Sequence, residues 1–339
     1  MPRRAAKTRH ASESLRRPTQ PKPANAKTEA QPRRVEARQR TRMAPAEYLS
    51  GAWRLGLAAG YAALLAVNGV YGSGAFGVPT NADISGAYPS PVTPAGFTFA
   101  IWGPIFLLQG GGTALVASGR APALGAAVVG PWLAGWCFEC AWQLVFASLP
   151  IPASDGDTAT KLGILVPAAV LLLSAQASFL VAAARVAEAY GAASDAEKAL
   201  LAVPTGINAA WLSAAAGIGL SLVLQLAAPA LAGPRGAAAL LALVLALAGY
   251  VVPRFVKRDR APALGLAYAG AACWACFGVT RGDVPDAVRY VAHYGGIVLA
   301  VVAAAALSGS LALRPRPGRA PAAEPLKVEE DDAPKKALA

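Results

Sequence analysis

The sequence predicts an all-α protein, a polytopic transmembrane helical bundle of about eight helices with both termini on the same, inner side. Three observations lead there. The chain of 339 residues is 55% hydrophobic and only 15% charged, with a mean hydropathy of +0.43, which is too apolar for an ordinary soluble domain. Apolar runs of about twenty residues, the length that crosses a bilayer, fall at about 53–73, 94–117, 124–148, 162–187, 200–228, 236–254, 262–280 and 287–313. With eight crossings, the first tail, Arg120, Arg185, Lys198, the Arg254 to Arg260 cluster and the last tail share one face. Only Lys161, Arg235, Arg281 and Arg289 are left on the other, the asymmetry of the positive-inside rule.

The elements follow in order. Residues 1–46 form a tail with no apolar run: Met1 to Pro45 holds thirteen Lys or Arg against three Glu, too polar to build a core. It reads as a disordered basic segment that orients the first helix or as a transit peptide addressing a plastid or other organelle. The net charge of +12 is concentrated here, so it points to an acidic membrane surface or a targeting role rather than to nucleic acid. The transmembrane body spans 47–313 and a second disordered tail, 314–339, closes the chain. Between the first two helices, the stretch from Ser73 to Val92 is rich in Gly, Pro and Asn with one charge, Asp83, and is either a solvated connection or a cap over a pocket. Pro94 suits the first turn of the second helix, where its missing N–H costs nothing, and the aromatic cluster Phe97, Phe99, Trp102 and Phe106 follows it.

The third helix carries the most informative pattern. At 100° per residue, Trp132, Trp136, Glu139 and Gln143 share one face, flanked by Cys140 and Trp142. An acid in an apolar span is costly and faces a bundle interior or a cavity, as a pocket wall or as a hydrogen-bonding partner for a neighbouring helix. Counting rise per residue, Trp102 and Glu139 fall about 12–15 Å from the outer surface, with Trp274 and His293 at about 9–11 Å. His293, beside Tyr290 and Tyr294, is a candidate haem ligand or proton relay, against the plainer reading of a packing residue. The four cysteines form two pairs, Cys137 with Cys140 and Cys273 with Cys276. Both pairs fall inside apolar spans, where Cys behaves as a small hydrophobe, so no metal site is expected. The string Arg120-Ala-Pro-Ala-Leu-Gly recurs at Arg260, before the third and the seventh helices, as chance or as a four-plus-four duplication would produce. No phosphate loop, nucleophile elbow or other catalytic set is present.

Asn81-Ala-Asp-Ile-Ser85, followed by Thr93-Pro-Ala-Gly-Phe-Thr-Phe-Ala-Ile-Trp-Gly103, resembles the translocator-protein (benzodiazepine-receptor-like) family in its tryptophan-rich sensory protein branch. Glu139-Cys-Ala-Trp142 with Phe146 is similar to the family's Asn-x-x-Trp segment, and Pro204 to Trp211 with Ser213 to its proline-to-tryptophan segment. The resemblance covers about 50–225. It departs where Glu139 replaces the family's Asn and where eight helices stand against the family's five. It implies a membrane protein that binds a tetrapyrrole (porphyrin or haem) or sterol-like molecule in a pocket capped by the first loop, acting in stress signalling or ligand transfer. Membrane lipids are further partners, a homo-oligomer is left open, and no resident cofactor is required. Pro94, Phe99, Trp102, Trp142, Phe146 and Trp211 match family positions, and Glu139 with Asn208 would meet a polar edge of the ligand. The alternative is a proton-coupled transporter working through Glu139.

Overall fold

The computed structural model describes residues 49–256 and 261–312; the two tails and the basic residues 257–260 lie outside them. Among the described residues there are nine helices and no strand. They are α1 (Gly51–Ser73), a short α2 (Asn81–Ala87), α3 (Trp102–Ala117), α4 (Gly125–Phe146), α5 (Thr158–Ala189), α6 (Val203–Ala227), α7 (Pro234–Val256), α8 (Pro262–Arg281) and α9 (Asp286–Ala312). Seven are long and apolar enough, with their leading turns, to cross a membrane. The remaining long helix is α4. It stands where the third crossing was expected and carries Glu139 and Gln143 within its length.

Local chemistry sets the helix ends. Ser50 caps α1 by accepting from the Trp53 N–H, and Gly74 ends the helix in the left-handed region at φ 70°, with its own N–H returned to Val70 O. The second span does not become α-helical at Pro94. Pro104 has no N–H and its ring crowds the carbonyl of Ala100, so Gly96–Ile101 winds as a tighter 3₁₀ turn before α3 begins at Trp102. Before α6, a π-turn at Lys198–Ala202 precedes Pro204, which likewise cannot donate to the ladder. The foot of this region is tied across the bundle. Glu197, 1% exposed, accepts from the Ala123 and Leu124 N–H groups at 2.8 and 2.9 Å, placing a carboxylate at the start of α4.

Packing divides the long helices five and three, not four and four. Helix α1 packs on α3 and α4, α4 on α5, α5 on α6, and α6 returns to α3, closing a ring of five. Helix α8 packs along α6, and α7 and α9 pack on α8 and on each other. The α6–α8 approach is close because Gly206 has no side chain: a Cβ there would run into the Leu264 carbonyl oxygen. The main core holds Trp132, Trp136, Phe179, Trp211 and Tyr268, all at most 1% exposed.

The first loop folds over the ring. Thr80 and Asp83 form a capping box on α2, with Thr80 N–H to Asp83 Oδ2 at 2.8 Å and Asp83 N–H to Thr80 Oγ1 at 3.1 Å. Ile84 is fully buried against Phe146, Leu165 and Leu222, and the Tyr88 hydroxyl donates to Pro150 O at 2.8 Å. Past α2 the chain is pinned to α8, by Ala95 N–H to Gly278 O at 2.9 Å and Trp274 Nε1–H to Thr98 O at 2.8 Å.

Two outcomes follow. Gly206→Val is expected to destabilise the protein by about 1–3 kcal/mol through overpacking, read as a lower thermal unfolding midpoint in detergent. The side-chain bond from Thr80, with its backbone bond, holds the Asp83 carboxyl below its ordinary value. The cap is therefore at full strength above the ordinary carboxylate range of about 4 and is lost as pH falls through the lower folded value. The protection factors of the α2 amides, which divide out the intrinsic pH dependence of exchange, should fall in that acid window in the wild type, and Asp83→Asn should remove this fall.

Candidate ligand-binding site

An apolar cavity of about 70 Å³ lies inside the ring, on the side that the first loop covers. Phe99 and Trp102 reach it from the 3₁₀ turn and the start of α3, Trp142 and Phe146 from the end of α4, and Trp211 from α6. Asn81 and Ser85 of α2 and Thr93 complete the wall under the loop. The rings hold one another. Phe99 and Trp102 stand edge-on to Trp211 at 5.5 and 6.3 Å, while Trp102 stacks on Phe106 at 5.4 Å and Trp142 on Phe146 at 5.2 Å. Edge-to-face and offset contacts at these spacings are the favoured aromatic geometries, so the wall is stiff.

Below the rings the ring interior turns polar. Asn208 lies one turn before Trp211 on α6, and Glu139 one turn before Trp142 on α4. Asn208 Nδ2–H donates to Glu139 Oε1 at 3.1 Å, with Asn208 fully buried and Glu139 3% exposed. The Trp211 indole N–H, Asn208 Oδ1 and both amide atoms of Gln143 are buried without a hydrogen-bond partner. Deeper still, Trp136 Nε1–H donates to Gln109 Oε1 at 3.3 Å and Trp132 Nε1–H to Thr205 Oγ1 at 3.0 Å. The face read from the periodicity of α4 thus points inward as a column of polar groups about 16 Å long, from Trp132 to Gln143.

A family model described as TSPO-like protein matches residues 34–306. The chain belongs to the TSPO-like protein family. Neither the curated proteins nor the solved structures returned a match.

In this TSPO-like chain, Phe99, Trp102, Trp142, Phe146 and Trp211 share one cavity, whereas Glu139 and Asn208 do not line it and pair with each other one helical turn before Trp142 and Trp211. Pro94 is elsewhere. It lines a second apolar cavity of about 50 Å³ between α6, α7 and α8, because the loop at 93–95 crosses toward α8 and turns Pro94 away from Thr93. His293 is exposed on the flank of α9, beside Tyr294, in a surface cleft of about 420 Å³ with Arg281, Arg289 and Tyr290. Similar depth along the helices does not bring Trp274 and His293 to Trp102 and Glu139: Trp274 binds the 3₁₀ turn, and His293 is exposed. All four cysteines are free thiols, divided between α4 and α8, and Cys273 Sγ contacts Gly296 O at 3.6 Å. Among the described residues no group of three or more His, Cys, Asp or Glu could hold a metal ion.

Sequence reasoning missed Gln109 and Thr205 as partners for buried indoles, and Gln176, whose amide donates to Ser213 Oγ at 2.7 Å in a chain that reaches the Tyr268 hydroxyl. The signal for the two glutamines was available, since a lone Gln in an apolar span needs an internal partner.

The pairing yields a contrast. Asn208→Leu strands the buried Glu139 carboxyl and is expected to cost about 1–3 kcal/mol. Glu139→Gln keeps an acceptor for the same amide and should lie near the wild type when both are unfolded thermally in detergent.

Proposed function

We propose that this integral membrane protein binds a lipophilic ligand in the Trp-lined cavity, of tetrapyrrole or sterol-like class, in stress signalling or ligand transfer. The observation that carries the reading is the convergence of five aromatic side chains from three parts of the chain on one apolar chamber. Flat apolar molecules stack on such faces, and a few polar groups at one end orient them.

Size sets the manner of binding. At about 70 Å³ the chamber is well below the 300–1,000 Å³ typical of drug-sized ligands, so occupancy requires it to open. The first loop is the element that can yield. Helix α2 has seven residues and joins the ring through Ile84 and Tyr88, whereas the other walls are long helices packed along their lengths. A second reading, proton-coupled transport through Glu139, is favoured by the polar column beneath the chamber, which places hydrogen-bonding groups across the ring interior.

Titration of the detergent-purified protein with a porphyrin and with a sterol tests the binding reading. Quenching of Trp fluorescence is expected, with affinity reduced about fivefold by Trp102→Phe or Trp142→Phe, in line with a stacking contribution of about 1 kcal/mol. Absence of quenching by both ligands, with both variants indistinguishable from the wild type, would remove it. Uptake into liposomes driven by a proton gradient and abolished in Glu139→Gln would favour the transport reading.

A further inference from the structure

The electrostatics of the chamber are one-sided. None of the residues lining it is ionisable, and the one acid beneath it, Glu139, forms no ion pair among the described residues. Its visible partner is the neutral amide of Asn208, on one carboxyl oxygen. Around it stand buried acceptors with no partner, Asn208 Oδ1 and Gln143 Oε1. A carboxyl group at this depth, walled by hydrocarbon, is stabilised by a cation more than by any neutral group. The chamber is lined by the indoles of Trp102, Trp142 and Trp211, a ring type whose face attracts a cation.

We propose that the chamber selects amphiphiles with a protonated amine head, whose ammonium binds at Glu139 while the apolar body lies among Trp102, Trp142 and Trp211. This rests on the lipophile-binding reading and sharpens its ligand class. The match is one of number as well as charge: a primary ammonium brings three N–H donors, and Glu139, Asn208 Oδ1 and Gln143 Oε1 supply three acceptors. A carboxylate or phosphate head at the same place would meet an acid and no base, with only the neutral donors Gln143 Nε2 and Trp211 Nε1 to receive it. Glu139 also stands where the resembling family has an amide, which accepts a hydrogen bond without favouring a cation. The acid is thus the specificity-determining residue of the chamber.

The test uses one ring system with three heads. The full-length protein in lipid nanodiscs is titrated calorimetrically at neutral pH with 2-naphthylmethylamine, 2-naphthalenemethanol and 2-naphthoate, against empty nanodiscs. The amine should bind about tenfold or more tighter than the alcohol, with naphthoate weakest. In Glu139→Gln and in Glu139→Asn, the ratio of amine to alcohol affinity should fall to about one. Equal affinity of amine and alcohol on the wild type overturns the inference whether or not the variants fold, as does an amine preference that survives Glu139→Gln. If a porphyrin or sterol binds while the amine has no advantage, the lipophile reading stands and this one falls. If no lipophile binds, both fall.

Discussion

Polar side chains inside a bundle whose outer surface meets hydrocarbon have to find partners on neighbouring helices, because neither lipid nor bulk water will supply them. In this TSPO-like protein that requirement organises the ring of five helices. The inward face of α4 carries two indoles followed by two polar groups, and three of the four are answered from neighbouring helices: Gln109 of α3 for Trp136, Thr205 of α6 for Trp132, Asn208 of α6 for Glu139. These pairs fix the rotation of α4 relative to α3 and α6. A turn of α4 by one residue would swing Glu139 about 100° toward the outside and leave all three bonds unmade. The aromatic chamber sits directly above the last of these pairs, so its shape depends on them.

The same helix that answers α4 also carries the additional three. Along α6, Trp211, Ala215 and Leu222 face the aromatic chamber, whereas Ala210, Ser213, Ala214 and Gly217 face α7 and α8. Small residues dominate the second face, and Gly206 lets the α8 backbone come within contact distance. The result is a five-helix ring with α8 laid against its wall, and α7 and α9 supported by α8.

Much of this is legible in the sequence. The spans were read from apolar runs, and the inward face of α4 from Glu139 and Gln143 standing out in one of them. The aromatic wall was read from a motif, since Phe99, Trp102, Trp142, Phe146 and Trp211 matched a recognisable family pattern. What was not legible has physical causes. The five-and-three division depends on which small-residue surfaces meet, and Ala-rich helices offer many candidate surfaces with similar one-dimensional patterns. Pro94 matches a family position alongside those aromatic residues, but adjacent residues in an irregular loop can face opposite ways: Thr93 lines the chamber and Pro94 the cavity on the α6–α8 side. His293 sits at a depth compatible with Glu139, but depth along an axis says nothing about azimuth, and α9 turns it outward. The late start of α3 at Trp102 could have been read from Pro104.

Ile218 borders both apolar cavities, the aromatic one inside the ring and the second one among α6, α7 and α8. It behaves as a shared partition between two rooms. Space gained on one side by displacing that side chain is taken from the other, so the two volumes are not independent quantities. Whatever fills one room changes the free energy of filling the other, and by linkage the dependence runs equally in both directions.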